Sequence, residues 1–139
     1  MKTPPEVREA FGLAKKVRQK AHAPYSKFKV GAALIGKSGK IYQGCNIENA
    51  SYGGGVCAER VAILKAVSEG ETEFTDIVVV TDAKDPAFPC ALCLQVMAEF
   101  FESDTTIWVA DTKKICSENT FLALLPKPFG PKQLNEAKK

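Results

Sequence analysis

Three cysteines and one glutamate are the residues of this 139-residue sequence whose types and spacing could do chemistry. Cys57 and Glu59 lie in the stretch VCAERVA, and Cys90 and Cys93 lie in PCALC. Cysteines three residues apart in the first turn of a helix point to the same side and can hold one ion. Three thiolates bind zinc well, and they leave the fourth tetrahedral position for water, as in catalytic zinc sites. The spacing therefore predicts one Zn²⁺ per chain, bound by Cys57, Cys90 and Cys93.

Glu59 and Arg60 extend the pattern from metal binding to proton transfer. On the side of a long helix, Glu59 would face away from Cys57, but an ion just beyond a helix start can be approached by the first and third side chains. Glu59 is therefore predicted to move protons without ligating zinc. Three thiolates and one zinc ion sum to a charge of minus one, which raises the pKa of a water on the metal. Arg60 either offsets this charge by donating hydrogen bonds to sulfur or is a solvated helix charge, and the spacing leaves both open.

Hydrophobic periodicity predicts the elements that position these residues. A capping box at Thr3 to Glu6 predicts the first helix start, and Gly36 to Gly39 predict a hairpin turn. Helices are predicted over about residues 4–20, 57–68, 89–101 and 117–125, and strands over about 28–35, 40–45, 75–81 and 105–110. The order α-β-β-α-β-α-β-α predicts one α/β domain over residues 1–139, with a mixed sheet between helices.

Composition and charge argue against a nucleic-acid-binding protein, a membrane protein and a disulfide-rich protein. The net charge of +3 comes from scattered lysines and gives little support for a nucleic-acid partner. Residues 1–20 contain no apolar run suited to a signal peptide or a membrane span, so we expect a cytoplasmic protein without a membrane partner. Five cysteines are an odd number for a disulfide framework. Cys45 and Cys116 have no metal partner by spacing and are predicted to be buried free thiols.

Four stretches together resemble a known family. They are PYSKFKVGAA (24–33), GCNIENA (44–50), CAER (57–60) and PCALC (89–93), and they resemble cytidine deaminase of the small, homotetrameric, three-cysteine zinc type. The resemblance runs from about Glu6 to Leu134. It implies the family's three-layer α/β/α fold and the hydrolytic deamination of cytidine or deoxycytidine to uridine or deoxyuridine in pyrimidine salvage. It also implies that water activated by zinc attacks carbon 4 of the base, while Glu59 serves as base and then as acid.

The substrate contacts follow partly from spacing and partly from the resemblance. Asn46 and Glu48 are two apart at a strand end, so both project to one face, where they could hold a ribose hydroxyl. The resemblance implies that this hydroxyl is the 3′ one, that Phe28 stacks on the pyrimidine and that the backbone of Ala58 meets the base. By residue type alone, Phe28 would be strand core and Ala58 an ordinary helix former.

The resemblance further implies that two segments reach neighbouring subunits of a homotetramer. Tyr52 belongs to the first, a glycine-rich loop, and Phe129 to the second, a proline-rich tail in which an aromatic residue can equally cap a core edge. The chain also departs from the family, which usually has Gly and Arg where Ala91 and Leu94 stand. The loss of that cation leaves Arg60 as the nearby sequence candidate for balancing the thiolates.

Three rival functions remain open at this point. The nearest is deamination of a nucleoside-like antibiotic such as blasticidin S, because those enzymes share the Cys-Ala-Glu and Pro-Cys-x-x-Cys motifs. Another is a non-catalytic zinc-stabilised binding module. Separately, the three cysteines could belong to a structural zinc site with Cys45 or His22 as the fourth ligand. Nucleotide and polynucleotide deaminases typically begin the first motif with His, which Cys57 replaces here.

Overall fold

The computed structural model describes residues 1–137. Its strands are β1 (Gly31–Gly36), β2 (Ile41–Cys45), β3 (Phe74–Val80), β4 (Thr106–Ala110) and β5 (Ile115–Thr120). Its helices are α1 (Pro5–Arg18), α2 (Ala58–Ser68), α3 (Ala91–Phe100), α4 (Phe121–Leu124) and α5 (Pro131–Ala137), with a short 3-10 turn at Tyr52–Gly54. The strands form one sheet in the order β2-β1-β3-β4-β5.

The sheet is mixed, as predicted. β1 runs antiparallel to both β2 and β3, β3 runs parallel to β4, and β4 runs antiparallel to β5. A parallel pair needs a crossover connection, and α3 lies in the one that joins β3 to β4. Because β1 is antiparallel to both of its neighbours, the carboxyl ends of β2 and β3 lie beside the start of β1, at the same end of the sheet.

Helices cover both faces of the sheet, which confirms the three-layer α/β/α fold. Side chains alternate along each strand, so each face has its own apolar cluster. Against α1 pack Ala33, Ile35, Val78, Val80 and Trp108. Against α2 and α3 pack Leu34, Tyr42, Ile77, Val79 and Ile107, together with Phe101 and Phe121. β1 is buried along its whole length because both of its faces are covered.

Two glycines allow helices to lie directly on strands. A Cβ at Gly44 would come within 2.5 Å of the Ala58 carbonyl oxygen and 2.6 Å of the Ala62 nitrogen. A Cβ at Gly31 would overlap the Ala14 carbonyl oxygen. The first contact seats the start of α2 on β2, and the second seats the last turn of α1 on β1.

The C-terminal third differs most from the sequence predictions. The helix predicted over 117–125 is correct only for Phe121–Leu124, because the residues up to Thr120 pair with β4 as strand β5. The Thr120 side chain then accepts a hydrogen bond from the Ala123 N–H at 3.2 Å, and this cap starts the short α4. The helix α5 was not predicted.

Three smaller predictions are also wrong. The N-cap of α1 is Pro4, without a side-chain hydrogen bond, so Thr3 and Glu6 form no capping box. β1 begins at Gly31 rather than Phe28, because the preceding residues are held by side chains instead of strand pairing. Cys45 and Cys116 are free but only half-buried, and the Cys116 Sγ lies 3.7 Å from Asp111 Oδ2.

None of the helices within residues 1–137 is both long enough and apolar enough to cross a membrane.

Candidate active site

The three predicted zinc ligands meet where two helices begin. Cys57 is the N-cap of α2, and Cys90 is the N-cap of α3, where its sulfur accepts a hydrogen bond from the Cys93 N–H at 3.4 Å. The Sγ atoms of Cys57 and Cys90 are 3.9 Å apart, and those of Cys90 and Cys93 are 3.5 Å apart. Free N–H groups and the helix dipoles at these two starts favour thiolate over thiol.

This sulfur geometry fits a zinc ion. Sulfur ligands about 2.3 Å from a tetrahedral zinc are about 3.8 Å from one another, which matches the two Sγ separations. All three Sγ atoms lie within 4.8 Å of one another, and among residues 1–137 no fourth His, Cys, Asp or Glu joins the group. Cys45 and His22 are therefore not part of it, so the four-ligand structural site is not formed.

The thiols of Cys57 and Cys93 have different pKa values. Hydrogen bonding from the Cys93 thiol, with further hydrogen bonds from Arg60 and Cys90, lowers the pKa of Cys57 to about 5. The same hydrogen bond raises the pKa of the buried Cys93. These contacts favour the thiolate form of Cys57, which is the form that binds a metal.

Arg60 lies against sulfur rather than in solvent. Its Nη2 donates to the Cys57 Sγ at 3.7 Å, and its Nε is buried without a hydrogen-bond partner in the part of the chain that the structure describes. Burial opposes the charged form, but the hydrogen bonds to Cys57 and Cys93 raise the pKa of Arg60. This placement favours charge balancing over a solvated helix charge. Leu94 packs on the apolar cluster below α2 and α3.

Glu59 is enclosed beside the thiols. It is only 5% exposed, and burial raises its pKa to about 7. Together with Cys57 and Cys90 it lines a cavity of about 230 Å³, here called the central cavity. A carboxyl group with a pKa near neutrality can both accept and donate a proton at physiological pH.

Three of the four predicted substrate residues line the same cavity. Phe28, Asn46 and Glu48 all reach it, and Phe28 remains 39% exposed, so it is not strand core. Ala58 does not line it, because its side chain is buried in the core and only its backbone is near the helix start.

The side chains of Asn46 and Glu48 also form hydrogen bonds with residues 25–30. Asn46 accepts from the Val30 N–H at 2.8 Å and donates to the Phe28 carbonyl at 2.7 Å. Glu48 accepts from the backbone N–H groups of Tyr25 and Ser26 and from the Ser26 hydroxyl. Hydrogen bonding from Ser26 lowers the pKa of Glu48, which keeps it ionised. The pair therefore shapes the wall that carries Phe28.

The two predicted cross-subunit residues lie outside the central cavity. Tyr52 is 86% exposed and lines a neighbouring cavity of about 430 Å³, which shares Ser26 and Glu48 with the central one. Phe129 is exposed, and its carbonyl accepts from Gln95 Nε2 at 2.7 Å.

Several residues of the central cavity were missed by the sequence predictions, notably Ser26, Thr81 and Phe88. Thr81 had a signal, since it is the first polar residue after a β-branched run and ligands bind at the carboxyl ends of parallel strands. Phe88 stands directly before the Pro89-Cys90 motif. Only the fold brings Ser26 to the same place.

Comparison with known proteins agrees with this geometry. Residues 5–109 match the family described as the cytidine and deoxycytidylate deaminase zinc-binding region. The chain belongs to the cytidine deaminase family. The matched region contains all three clustered cysteines and Glu59, so zinc is the cofactor that both the family and the sulfur geometry support.

Individual members of the cytidine deaminase family are similar over nearly the whole chain. The cytidine deaminase of Sporosarcina psychrophila is 43% identical over 132 residues, covering 95% of this chain and 97% of that protein. The one from Halalkalibacterium halodurans is 46% identical over 119 residues, covering 86% and 90%. The crystal structure of cytidine deaminase from Burkholderia pseudomallei matches with a TM-score of 0.84 at 40% identity, covering 88% of this chain and 98% of that one. These matches confirm the predicted family and fold.

Proposed function

We propose that this protein hydrolyses cytidine or deoxycytidine to uridine or deoxyuridine and ammonia, as a zinc-dependent enzyme of pyrimidine salvage. The observation that carries this proposal is the enclosure of Glu59 in one cavity with thiols spaced for a single zinc ion. Similarity to named cytidine deaminases supports the substrate class.

In the proposed mechanism, the three cysteines bind zinc and Glu59 transfers protons. Cys57, Cys90 and Cys93 would hold the zinc ion, which would supply the Lewis acid that makes water reactive enough to attack carbon 4 of the cytosine ring. Glu59 accepts one proton from the attacking water and delivers it to ring nitrogen 3, and it then takes the second proton from the oxygen now bonded to carbon 4 and passes it to the departing amino group. The bond from carbon 4 to nitrogen breaks, a bond from carbon 4 to oxygen forms, and ammonia leaves.

Residues around the central cavity would orient the substrate. Phe28 offers its exposed ring to the flat base, and the backbone at Ala58 lies at the start of α2, beside the thiols. The Asn46 amide keeps one N–H and one lone pair after its two backbone hydrogen bonds, so it can still bind a sugar hydroxyl together with Glu48. Arg60 offsets the negative charge of three thiolates and so keeps the metal an effective Lewis acid.

We infer a homotetramer that completes each site. Large apolar side chains remain exposed on one chain, including Leu64, Leu92, Tyr52 and Phe129. Burial of such side chains between copies favours association, and most homo-oligomers have closed symmetry. In this arrangement Tyr52 and Phe129 contribute to the cavity of a neighbouring copy. Sedimentation equilibrium tests the oligomer, and a monomer with full activity would contradict the shared sites.

The five strands form one sheet with an apolar cluster on each face, which supports residues 1–139 acting as one domain. The proposed zinc ligands must stay reduced, which supports a cytoplasmic location.

Purified zinc-loaded protein should be incubated separately with cytidine, deoxycytidine and blasticidin S while released ammonia is measured. We expect ammonia from the nucleosides. Release from blasticidin S alone would assign the antibiotic as substrate instead. A protein with full zinc and no ammonia from any of the three would be a binding module, and the proposal would fail.

A further inference from the structure

We propose that Arg18 is a positioning residue of the active site, which ties together two backbone segments that line the central cavity. These are the 25–30 segment, before β1, and the 81–88 segment, after β3. Arg18 itself does not line the cavity, so the proposal rests on the proposed function only for what the cavity binds.

The guanidinium of Arg18 contacts both segments. Arg18 is the last residue of α1 and is only 8% exposed. Its Nε donates to the Lys29 carbonyl at 3.0 Å, and its Nη2 lies 3.0 Å from Asp82 Oδ2. Lys29 stands between Phe28 and Val30, and Asp82 directly follows Thr81. Phe28, Val30 and Thr81 all line the central cavity. The buried Arg18 guanidinium therefore connects the two backbone segments that carry these residues.

The sheet register explains why one side chain reaches both segments. β1 and β3 are antiparallel with Gly31 opposite Val80, so the chain enters β1 beside the point where it leaves β3. Gly31 has no side chain, which lets the last turn of α1 lie directly on this point. Arg18 is thereby placed over the junction between the two segments.

The 25–30 segment needs such anchors because it has no regular pairing of its own. Lys27 has a φ of 61°, in the left-handed region, which is uncommon for a residue with a side chain and persists where the surroundings hold it. Asn46 holds the backbone on either side of Lys29, and Glu48 holds the start of the segment. Both of those side chains face the cavity. Arg18 holds the remaining Lys29 carbonyl from the opposite, α1 side of the sheet.

An arginine suits this position better than a lysine. The planar guanidinium donates in fixed directions to two partners at once, whereas an ammonium group is a single point charge on a flexible stem. Arg18→Lys should therefore keep one contact and part of the effect. The change Asp82→Asn removes only the ion pair, and the exposed Asp82 side chain makes misfolding of that variant a minor concern.

The kinetic test uses the zinc-loaded protein and cytidine. Because Arg18 orders the binding wall and touches neither the thiols nor Glu59, Arg18→Met should raise KM about tenfold, or about 1.4 kcal/mol, and change kcat much less. Asp82→Asn should raise KM less, and the double variant should add little to Arg18→Met, because both changes break one interaction. Lys37→Met is the matched control, since Lys37 forms an exposed ion pair with Glu73 at 3.8 Å on another part of the molecule.

Hydrogen exchange supplies a readout that does not depend on turnover. Backbone amides of the 25–30 and 81–88 segments should exchange faster in Arg18→Met than in wild type, and not in Lys37→Met. Unchanged exchange in both segments, or a loss of kcat at constant KM, would overturn the positioning role. A wild-type protein that does not deaminate cytidine would instead refute the proposed function, while the exchange comparison would still decide the role of Arg18.

Discussion

Replacing Gly44 by alanine tests whether the contact between β2 and α2 positions the zinc ligands. The added Cβ would lie 2.5 Å from the Ala58 carbonyl oxygen, whereas ordinary contact begins at 3.4 Å. Strand and helix must therefore separate by about 1 Å, since both contacting groups are backbone. α2 begins directly after Cys57 and carries Glu59, so this shift moves both residues relative to the thiols on α3.

Gly44→Ala is expected to lower both stability and activity. Overpacking of this kind costs about 1–3 kcal/mol of unfolding free energy, and a misplacement of about 1 Å can lower turnover about a hundredfold. Urea unfolding measures the loss of stability, cytidine turnover measures the loss of activity, and metal analysis measures how much zinc the variant still binds. Gly12→Ala in α1 is the control, because its Cβ meets nothing within 4 Å; it should gain about 0.5–1 kcal/mol at unchanged turnover. Wild-type turnover and zinc content in Gly44→Ala would refute the reasoning.

Three further predictions follow from single contacts. Arg60→Gln should lower kcat about tenfold or more in steady-state assays, with Arg60→Lys less affected, because a hydrogen bond from a charged donor to sulfur is lost; equal kcat would contradict this. Hydrogen bonds from Ser38 lower the pKa of Glu71 below 4.5, so its stabilisation is present above that pH and lost as pH falls through the lowered pKa. In thermal unfolding, Glu71→Gln should therefore lose less stability on acidification than wild type. Chelating zinc should lower the Tm of wild type but not of Cys57→Ala, since zinc joins two helix starts; a wild-type Tm that chelation leaves unchanged would contradict a stabilising metal.

Local patterns were sufficient for most of the fold. The apolar spacing of α1, the β-branched run of β3 and the two cysteine motifs at helix starts each depend on neighbouring residues in the sequence. β5 was missed because it lies at an edge of the sheet, where ICSENT has polar residues and no strong alternation. Its strand structure comes from pairing with β4, and that pairing is decided by the turn between them rather than by local preference.

The candidate site was predictable where its chemistry is local. Cys57, Glu59, Cys90 and Cys93 stand in two short motifs, and the fold brings them together as the spacing predicts. The contacts of Arg18 were not predictable, because Lys29 and Asp82 lie far from it and from each other in sequence. A charge in the last turn of a helix is usually solvated, and only the antiparallel pairing of β1 with β3 places both partners beside it.

Comparing wild type with Glu59→Gln in one assay tests the central claim most directly. Both proteins should hold one zinc ion per chain, because Glu59 is not among the proposed ligands. Wild type should release one ammonia for each cytidine converted to uridine, and the variant, which keeps the shape of the side chain but cannot carry the proton, should be slower by about 10²–10⁴-fold. A zinc-loaded variant that releases ammonia at nearly the wild-type rate would contradict the account.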